Sequence, residues 1–406
     1  MKFIHFADAH LDSPFRGLSF LPSKTFKQIY QAADESLTKI IDLALDEQVD
    51  LVLIAGDTFD NNKPSPRSQL FFAREIKRLT DAKIQVVMIF GNHDHMNLDE
   101  LLVTPSPYFK LLGANEKVES ASFETKNGFS YVVNGFSYLN NHIVDDKLTA
   151  FPVKGDSYTF GLMHAQEKTT QASQNVYAPF DVNEMKDLDY DYFALGHIHL
   201  RQSLSKDPWI VYPGNIQGRH INEMGPKGCY LGQIDEQTGQ TAITFKETGP
   251  IVWQEISVEL NSSVTKTDLQ TKILGNLSDI NQTTYFSVHL VGAQYLDDDE
   301  RELVQDKDFW QSISANLNFN SQLVDVRFES NNRLELNPND QTSFEKAKSE
   351  VFSQPNFMKI SKDWLRKDPL AEKLVSDPRF QDEVKELAEV KLSSRLKGIN
   401  NETEEN

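Results

Sequence analysis

A single cysteine, Cys229, in 406 residues rules out an internal disulfide. Core packing and hydrogen bonding must hold the chain together, and a reducing, cytoplasmic compartment fits that usage. No stretch approaches the ~20 consecutive apolar residues that cross a bilayer, so no membrane association is expected. The chain runs at once into a strand-like segment. A basic stretch, an apolar run and a small-residue cleavage site are all missing there, so no secretory signal is expected. Positive charge is also scarce: 41 Lys and Arg stand against 60 Asp and Glu, a formal net charge of −19. A chain of that balance does not coat nucleic acid through a basic surface. It can still act on phosphodiesters if bound cations supply positive charge locally or if a partner does the gripping. The acidity belongs to the body of the chain, because residues 341–406 are nearly balanced.

What is present is a rhythm. The length predicts two or three domains. Residues 1–250 alternate apolar runs with amphipathic ones. Residues 26–46 place Ile29, Ala33, Leu37, Ile40, Ile41 and Ala44 on one face, and residues 68–79 form a second such segment. The strands between them are almost wholly apolar, as in a sheet covered on both faces. Later segments, at 129–136, 157–164, 229–234 and 242–247, read as hairpin-rich β. The economical reading is an α/β sandwich of mixed sheets. A boundary is expected near Thr248-Gly249-Pro250. Beyond it, residues 251–332 read as a small β-α-β-α-β domain, with one helix over 265–277 and another over 299–317. Residues 333–406 read as a polar linker followed by helices.

The informative feature is where the apolar runs stop. The first ends in Asp8-Ala9-His10, the second in Gly56-Asp57-Thr58-Phe59-Asp60, the third in Gly91-Asn92-His93-Asp94, a fourth in His164 and a fifth in Gly196-His197-Ile198-His199. Taken singly, each has a bland reading: a turn, a polar loop, a surface imidazole. Five strand ends in series carrying carboxylate, imidazole and carboxamide groups describe one site at a sheet edge. With no thiolate in the set, manganese or iron suits it, and zinc is also compatible. Asp57 is the best bridging candidate, since a carboxylate has two oxygens to share. Two ions ~3.5–4 Å apart activate water and clamp a phosphoryl oxygen, as phosphoester hydrolysis requires. His5, His142 and His289 read as structural histidines, and His95 as a weak candidate for substrate contact.

This ordered set resembles the calcineurin-like metallophosphoesterase superfamily over residues 1 to about 235. The resemblance implies a four-layer α-β-β-α sandwich with the metals at the sheet edge. It implies one divalent ion on Asp8, His10, Asp57 and His199, and another on Asp57, Asn92, His164 and His197, with Mn²⁺ the leading candidate. His93 would not ligate. It would contact the scissile phosphate and assist the leaving oxygen, oriented by Asp60. An imidazole beside a carboxylate suits that task, because a leaving alkoxide needs a proton.

Within the superfamily, Trp209 to Tyr212 followed by Pro213-Gly214-Asn215, then Glu223 and Lys227-Gly228, is similar to the SbcD-type DNA repair exonucleases. Asp12 replaces a common glycine, and Asn215 stands where serine is usual. That likeness implies a metal-dependent DNA exonuclease, with endonuclease activity as an additional expectation. It also implies a capping domain at 251–332 and an SbcC-type coiled-coil ATPase partner docked on the C-terminal helices, where Trp364, Leu365, Leu370, Leu374, Val384, Leu387 and Leu392 are spaced as an apolar stripe. A homodimer through residues 68–79 and 98–112 is a further expectation. Arg16, Arg201, Arg219 and His220 are candidates for contacts to DNA phosphates. The alternative is a phosphodiesterase or phosphatase acting on nucleotides or small phosphoesters.

Overall fold

In the computed structural model, residues 1–15, 18–169, 176–277, 281–329 and 338–362 are described, together with residues 375, 381, 384 and 385. Arg16, and nearly all of the expected C-terminal stripe, lie outside them. The chain divides into two compact units, Met1–Trp253 and Gln254–Asn406.

The first unit holds two six-stranded sheets. In chain order its strands are β1 (Lys2–Phe6), β2 (Leu51–Ala55), β3 (Gln85–Ile89), β4 (Phe109–Leu111), β5 (Glu119–Glu124), β6 (Ser130–Gly135), β7 (Tyr158–His164), β8 (Tyr192–Gly196), β9 (Gln202–Lys206), β10 (Trp209–Tyr212), β11 (Gly228–Ile234) and β12 (Thr241–Glu247). One sheet runs β12-β11-β1-β2-β3-β4 and the other β5-β6-β7-β8-β10-β9. The β1–β2–β3 ladder is parallel, as is β7–β8.

Period-2 alternation along the strands builds the layers. Ile4, Phe6, Val52, Ile54, Val86 and Met88 face one core, which they share with Leu37, Ile40, Ile41, Phe72, Ile76 and Leu79 from the helices. Their alternates Phe3, Leu51, Leu53, Val87 and Ile89 meet Phe160, Leu162, Tyr192 and Ala194 between the two sheets. On the far side of the second sheet, Met163, Phe193 and Leu195 pack against Leu148, Phe151, Phe180 and Met185. The result is a four-layer sandwich, with a thin fourth layer of one short helix and loops.

The helices covering the first sheet are α1 (Ser23–Tyr30), α2 (Ala32–Asp46) and α3 (Pro66–Asp81), and α4 (Val182–Asp187) lies in the thin layer. Ser65 caps α3 by accepting the Ser68 N–H, with Pro66 at the first helical position. The single helix expected over 26–46 is two helices. They part at Gln31, whose backbone stands at φ −94° and ψ −3°, and the Tyr30 hydroxyl is tied to Asp12 Oδ1 at 2.6 Å.

The second unit carries all but the first two residues of β13 (Val252–Glu259), then α5 (Lys266–Asn276), β14 (Thr284–Val291), α6 (Asp298–Gln305), α7 (Lys307–Ser314) and β15 (Gln322–Glu329), followed by α8 (Pro338–Val351) and α9 (Gln354–Ile360). Its sheet runs β13-β14-β15, with β14 and β15 parallel. Thr265 and Asp268 form a capping box on α5. The helix expected over 299–317 breaks at Asp306, whose extended backbone and side chain cap α7 through the Asp308 N–H. No helix among the described residues is long and apolar enough to cross a membrane.

Candidate metal centre

The parallel ladders put the carboxyl ends of β1, β2, β3, β7 and β8 at one edge, where the groups that follow each strand converge. Main-chain hydrogen bonds zip the first loops together. Asp8 N donates to Gly56 O at 3.1 Å, His10 N to Asp57 O at 3.0 Å, and Leu11 N to Thr58 O at 2.9 Å. Across to the second sheet, His197 N donates to Asp8 Oδ1 at 3.0 Å. Gly91 is required where its loop crosses Asp57, because a Cβ there would lie 2.2 Å from Asp57 Oδ1.

Four of these residues hold left-handed backbone: Asp8 at φ 52°, His10 at 43°, Asp57 at 51° and His197 at 98°. For residues with a side chain, that conformation costs on the order of 1 kcal/mol or more each and collects at functional sites.

Three groups of donor atoms come within 4.8 Å of one another among the described residues: Asp8, His10 and His199; Asp8, Asp57 and His164; and His10, Asp60 and His93. Asp57 Oδ2 faces both halves of the cluster, 3.7 Å from His10 Nε2 and 3.3 Å from His164 Nε2. Its Oδ1 accepts the His93 N–H at 2.8 Å. Asn92 Oδ1 lies 3.0 Å from His164 Nε2 and 3.1 Å from His197 Nδ1. On the other side, His10 Nε2 and His199 Nε2 approach to 3.0 Å.

That last distance tests the donor set against a cation. Two lone pairs tolerate it only across a proton or a metal. Two nitrogens ~2.1 Å from one ion and at right angles, as octahedral coordination sets them, stand about 3.0 Å apart. Protonation states agree. Burial, joined by the Arg219 charge, lowers His10 to about 4, and burial beside His164 lowers His197 to about 3, so both are neutral and free to ligate. Burial alone would also lower His164. The Asp57 carboxylate reverses this and raises it to about 9, while the same contacts hold the Asp57 carboxyl far down despite its burial. A proton on His164 thus carries the charge that a bound cation would carry. The residues fit a metal centre.

The supporting contacts fix each ring. His164 Nδ1 donates to Ala55 O at 2.9 Å, so Nε2 is the nitrogen that would face a cation once its proton is displaced. His199 Nδ1 donates to Glu223 Oε1 at 2.7 Å with the same effect. Asn141 Oδ1 accepts from Asn92 Nδ2 at 3.3 Å, turning the Asn92 oxygen inward. Asp94 staples the loops by accepting Thr58 N and Gly91 N, each at 2.7 Å. Burial and the nearby Asp57 raise its carboxyl to about 7. None of these supporting roles follows from the sequence, although Asp94 and Glu223 belong to its motifs.

His93 is exposed at the rim. Its Nδ1 donates to the Asp60 main-chain carbonyl at 3.0 Å, which leaves Nε2 for a substrate. Asp60 therefore meets His93 through its backbone, while its carboxylate accepts Arg219 Nη1 at 2.7 Å. The other basic candidates diverge. Arg201 places its guanidinium 3.9 Å over the Phe245 ring, and His220 Nε2 lies 3.3 Å from Glu223 Oε1. The remaining histidines point elsewhere: His5 into the inter-sheet core, His289 to Glu329, and His142 onto Tyr177, whose ring also covers His197 at 4.4 Å. His95 Nδ1 donates to the Asn92 carbonyl at 2.9 Å.

A four-layer sandwich with carboxylate, imidazole and carboxamide groups gathered at the strand ends defines a metallophosphoesterase. The model of the family described as calcineurin-like phosphoesterase matches residues 1–201, and through that segment the chain belongs to this family. Among curated relatives, an uncharacterized metallophosphoesterase, YhaO, of Bacillus subtilis (strain 168) is 34% identical over 271 residues, covering 66% of this chain and 65% of the relative. The DNA double-strand break repair protein Mre11 of Sulfolobus acidocaldarius is 29% identical over 210 residues, or 50% of each chain. That of Archaeoglobus fulgidus is 26% identical over 243 residues, covering 55% of this chain and 52% of the relative. The chain thus spans between half and 65% of the length of these relatives.

Proposed function

We propose that this chain is a two-metal phosphodiesterase that cleaves DNA, in the manner of an SbcD-type exonuclease. The observation that carries the chemistry is Asp57 Oδ2 standing within 3.7 Å of His10 and 3.3 Å of His164, one carboxylate between two half-sites. Asp8, His10, Asp57 and His199 would hold one ion, and Asp57, Asn92, His164 and His197 the other, with Mn²⁺ favoured by the oxygen and imidazole donors. When bound, the ions supply a hydroxide nucleophile at neutral pH and positive charge against the phosphoryl oxygens. The chain's own residues do the rest. The ligand loops are fixed in advance by their main-chain zipper. His93, held by the Asp60 carbonyl, presents Nε2 to the phosphate and passes a proton to the leaving oxygen.

The DNA reading is supported by two relatives named as DNA double-strand break repair proteins, and by the Pro213-Gly214-Asn215 segment that ends at Glu223 and Lys227. Arg16, Arg201 and His220 remain proposed contacts to flanking phosphates. An SbcC-type ATPase is the proposed partner, on the strength of the apolar spacing in the C-terminal sequence. A homodimer is proposed through the segments bearing Leu70, Leu98 and Leu102, which are 62%, 51% and 48% exposed. The test is a comparison of duplex DNA, single-stranded DNA and a chromogenic phosphodiester as substrates of the full chain with Mn²⁺. Cleavage of DNA supports the proposal. Turnover of the small diester with none of either DNA would instead favour a small-phosphoester hydrolase.

A further inference from the structure

Of the two imidazoles proposed to share one ion, His199 is hydrogen-bonded to a carboxylate and His10 stands beside another, and both carboxylates meet on one arginine. His199 Nδ1 donates to Glu223 Oε1 at 2.7 Å, and His10 Nδ1 lies 3.5 Å from Asp60 Oδ1. Arg219 donates to both carboxylates: Nη1 to Asp60 Oδ1 at 2.7 Å and its main-chain N–H to Glu223 Oε2 at 2.7 Å. Its Nε stands 3.8 Å from Glu223 Oε1. Asn215 Nδ2 adds a further bond to Glu223 Oε2 at 2.8 Å, so the buried carboxylate is held from several sides. The other half of the centre is backed differently, by the Ala55 carbonyl behind His164 and by Asn141 behind Asn92.

We infer that Arg219 and Glu223 form a positioning clamp for one half of the metal centre, which keeps His10 and His199 aimed at a single divalent cation. This rests on the two-ion reading above. It assigns Arg219 a task other than gripping DNA, since its guanidinium is already bonded to the Asp60 carboxylate and stands 3.8 Å from that of Glu223. The clamp serves only one of the two half-sites, and that asymmetry makes it measurable.

The experiment is calorimetric titration of the full-length, metal-stripped chain with Mn²⁺, comparing the natural sequence with Glu223→Gln, Arg219→Lys and the double variant. Thermal melts of the metal-free proteins report folding. The natural chain should show two binding events. Each single variant should weaken one event by about 10- to 100-fold, as loss of a ligand's hydrogen-bond partner does, and leave the other within about twofold. The double variant should be no weaker than the worse single one, since both changes break the same clamp. Turnover of DNA and of a small phosphodiester should fall by the same factor. If both events survive intact while KM rises for DNA alone, Arg219 is a phosphate contact and the clamp is refuted. Equal weakening of both events also refutes it. A natural chain that binds no Mn²⁺ overturns the two-ion reading itself, before any variant is measured.

Discussion

His5 allows a test of the sandwich behind the metal loops. It is fully buried between the sheets, with Nε2 3.2 Å from the Leu195 carbonyl and Nδ1 3.0 Å from the Tyr192 hydroxyl. A carbonyl only accepts, so Nε2 carries the proton and Nδ1 accepts the tyrosine O–H. Burial pushes the pKa down from 6.5 to about 3, and the Leu195 carbonyl opposes it only in part. The unfolded ring titrates near 6.5. Between 6.5 and about 3, the unfolded chain therefore binds a proton that the folded chain refuses. The stability contributed by neutral His5 is fully present above that window and is lost as pH falls through it, at ~1.4 kcal/mol per unit. From neutrality to about pH 5 the loss is ~2 kcal/mol, a large share of the 5–15 kcal/mol typical of a folded domain. His5→Gln keeps one donor for Leu195 and one acceptor for Tyr192 but does not titrate. Urea unfolding of both metal-free proteins across pH isolates the term, because the other ionisable groups are common to both. The stability difference between them should change by ~2 kcal/mol between neutrality and about pH 5, with the natural chain losing more. Parallel pH profiles would refute the tautomer and the burial argument together.

His93→Ala should cut turnover by about 10²–10⁴-fold, as loss of a positioned proton donor does, and leave both Mn²⁺-binding events intact in calorimetry. Loss of an ion would make His93 a ligand. Gly91→Ala should impair metal binding, because its Cβ would meet Asp57 Oδ1 at 2.2 Å; unchanged Mn²⁺ affinity would show that the loop can move aside. Metal stripping should abolish hydrolysis and lower the melting temperature, and Mn²⁺ should restore both, by mass action on the folded state alone. Intrinsic binding of duplex DNA at physiological salt should be weak, given a net charge of −19; tight binding by the isolated chain would count against a partner doing the gripping.

The strand ends were readable because a parallel ladder delivers successive carboxyl ends to the same edge, so order along the chain becomes neighbourhood in space. Asp8, Asp57, Asn92, His164 and His197 needed only that rule. The start of the helix expected at 265 held, because Thr265 and Asp268 form a capping box there. What escaped was either a local break or a contact across the fold. Asp306 stops the helix because its side chain accepts the N–H of the next one, a contact that no periodicity announces. Asn141 reaches Asn92 across 49 residues, and Glu223 reaches His199 across 24. No periodicity links such pairs. Arg219 was visible as a basic residue near the site, while the carboxylates that occupy it were not.

The backbone of the proposed ligands bears on how the centre is built. A loop that needed only to turn at φ 52°, 43°, 51° and 98° would use glycine, yet this chain uses Asp8, His10, Asp57 and His197 there. The strain is carried by residues whose side chains are wanted at those points. Its cost, on the order of 1 kcal/mol or more each, is offset by the zipper from Asp8 to Gly56, His10 to Asp57 and Leu11 to Thr58, by Asp94 accepting Thr58 and Gly91, and by His197 N on Asp8. Each of those bonds is made by the protein alone. The proposed ligands are therefore held in place by the sandwich, and a cation entering them would meet a preformed set of donors rather than a chain it must first fold.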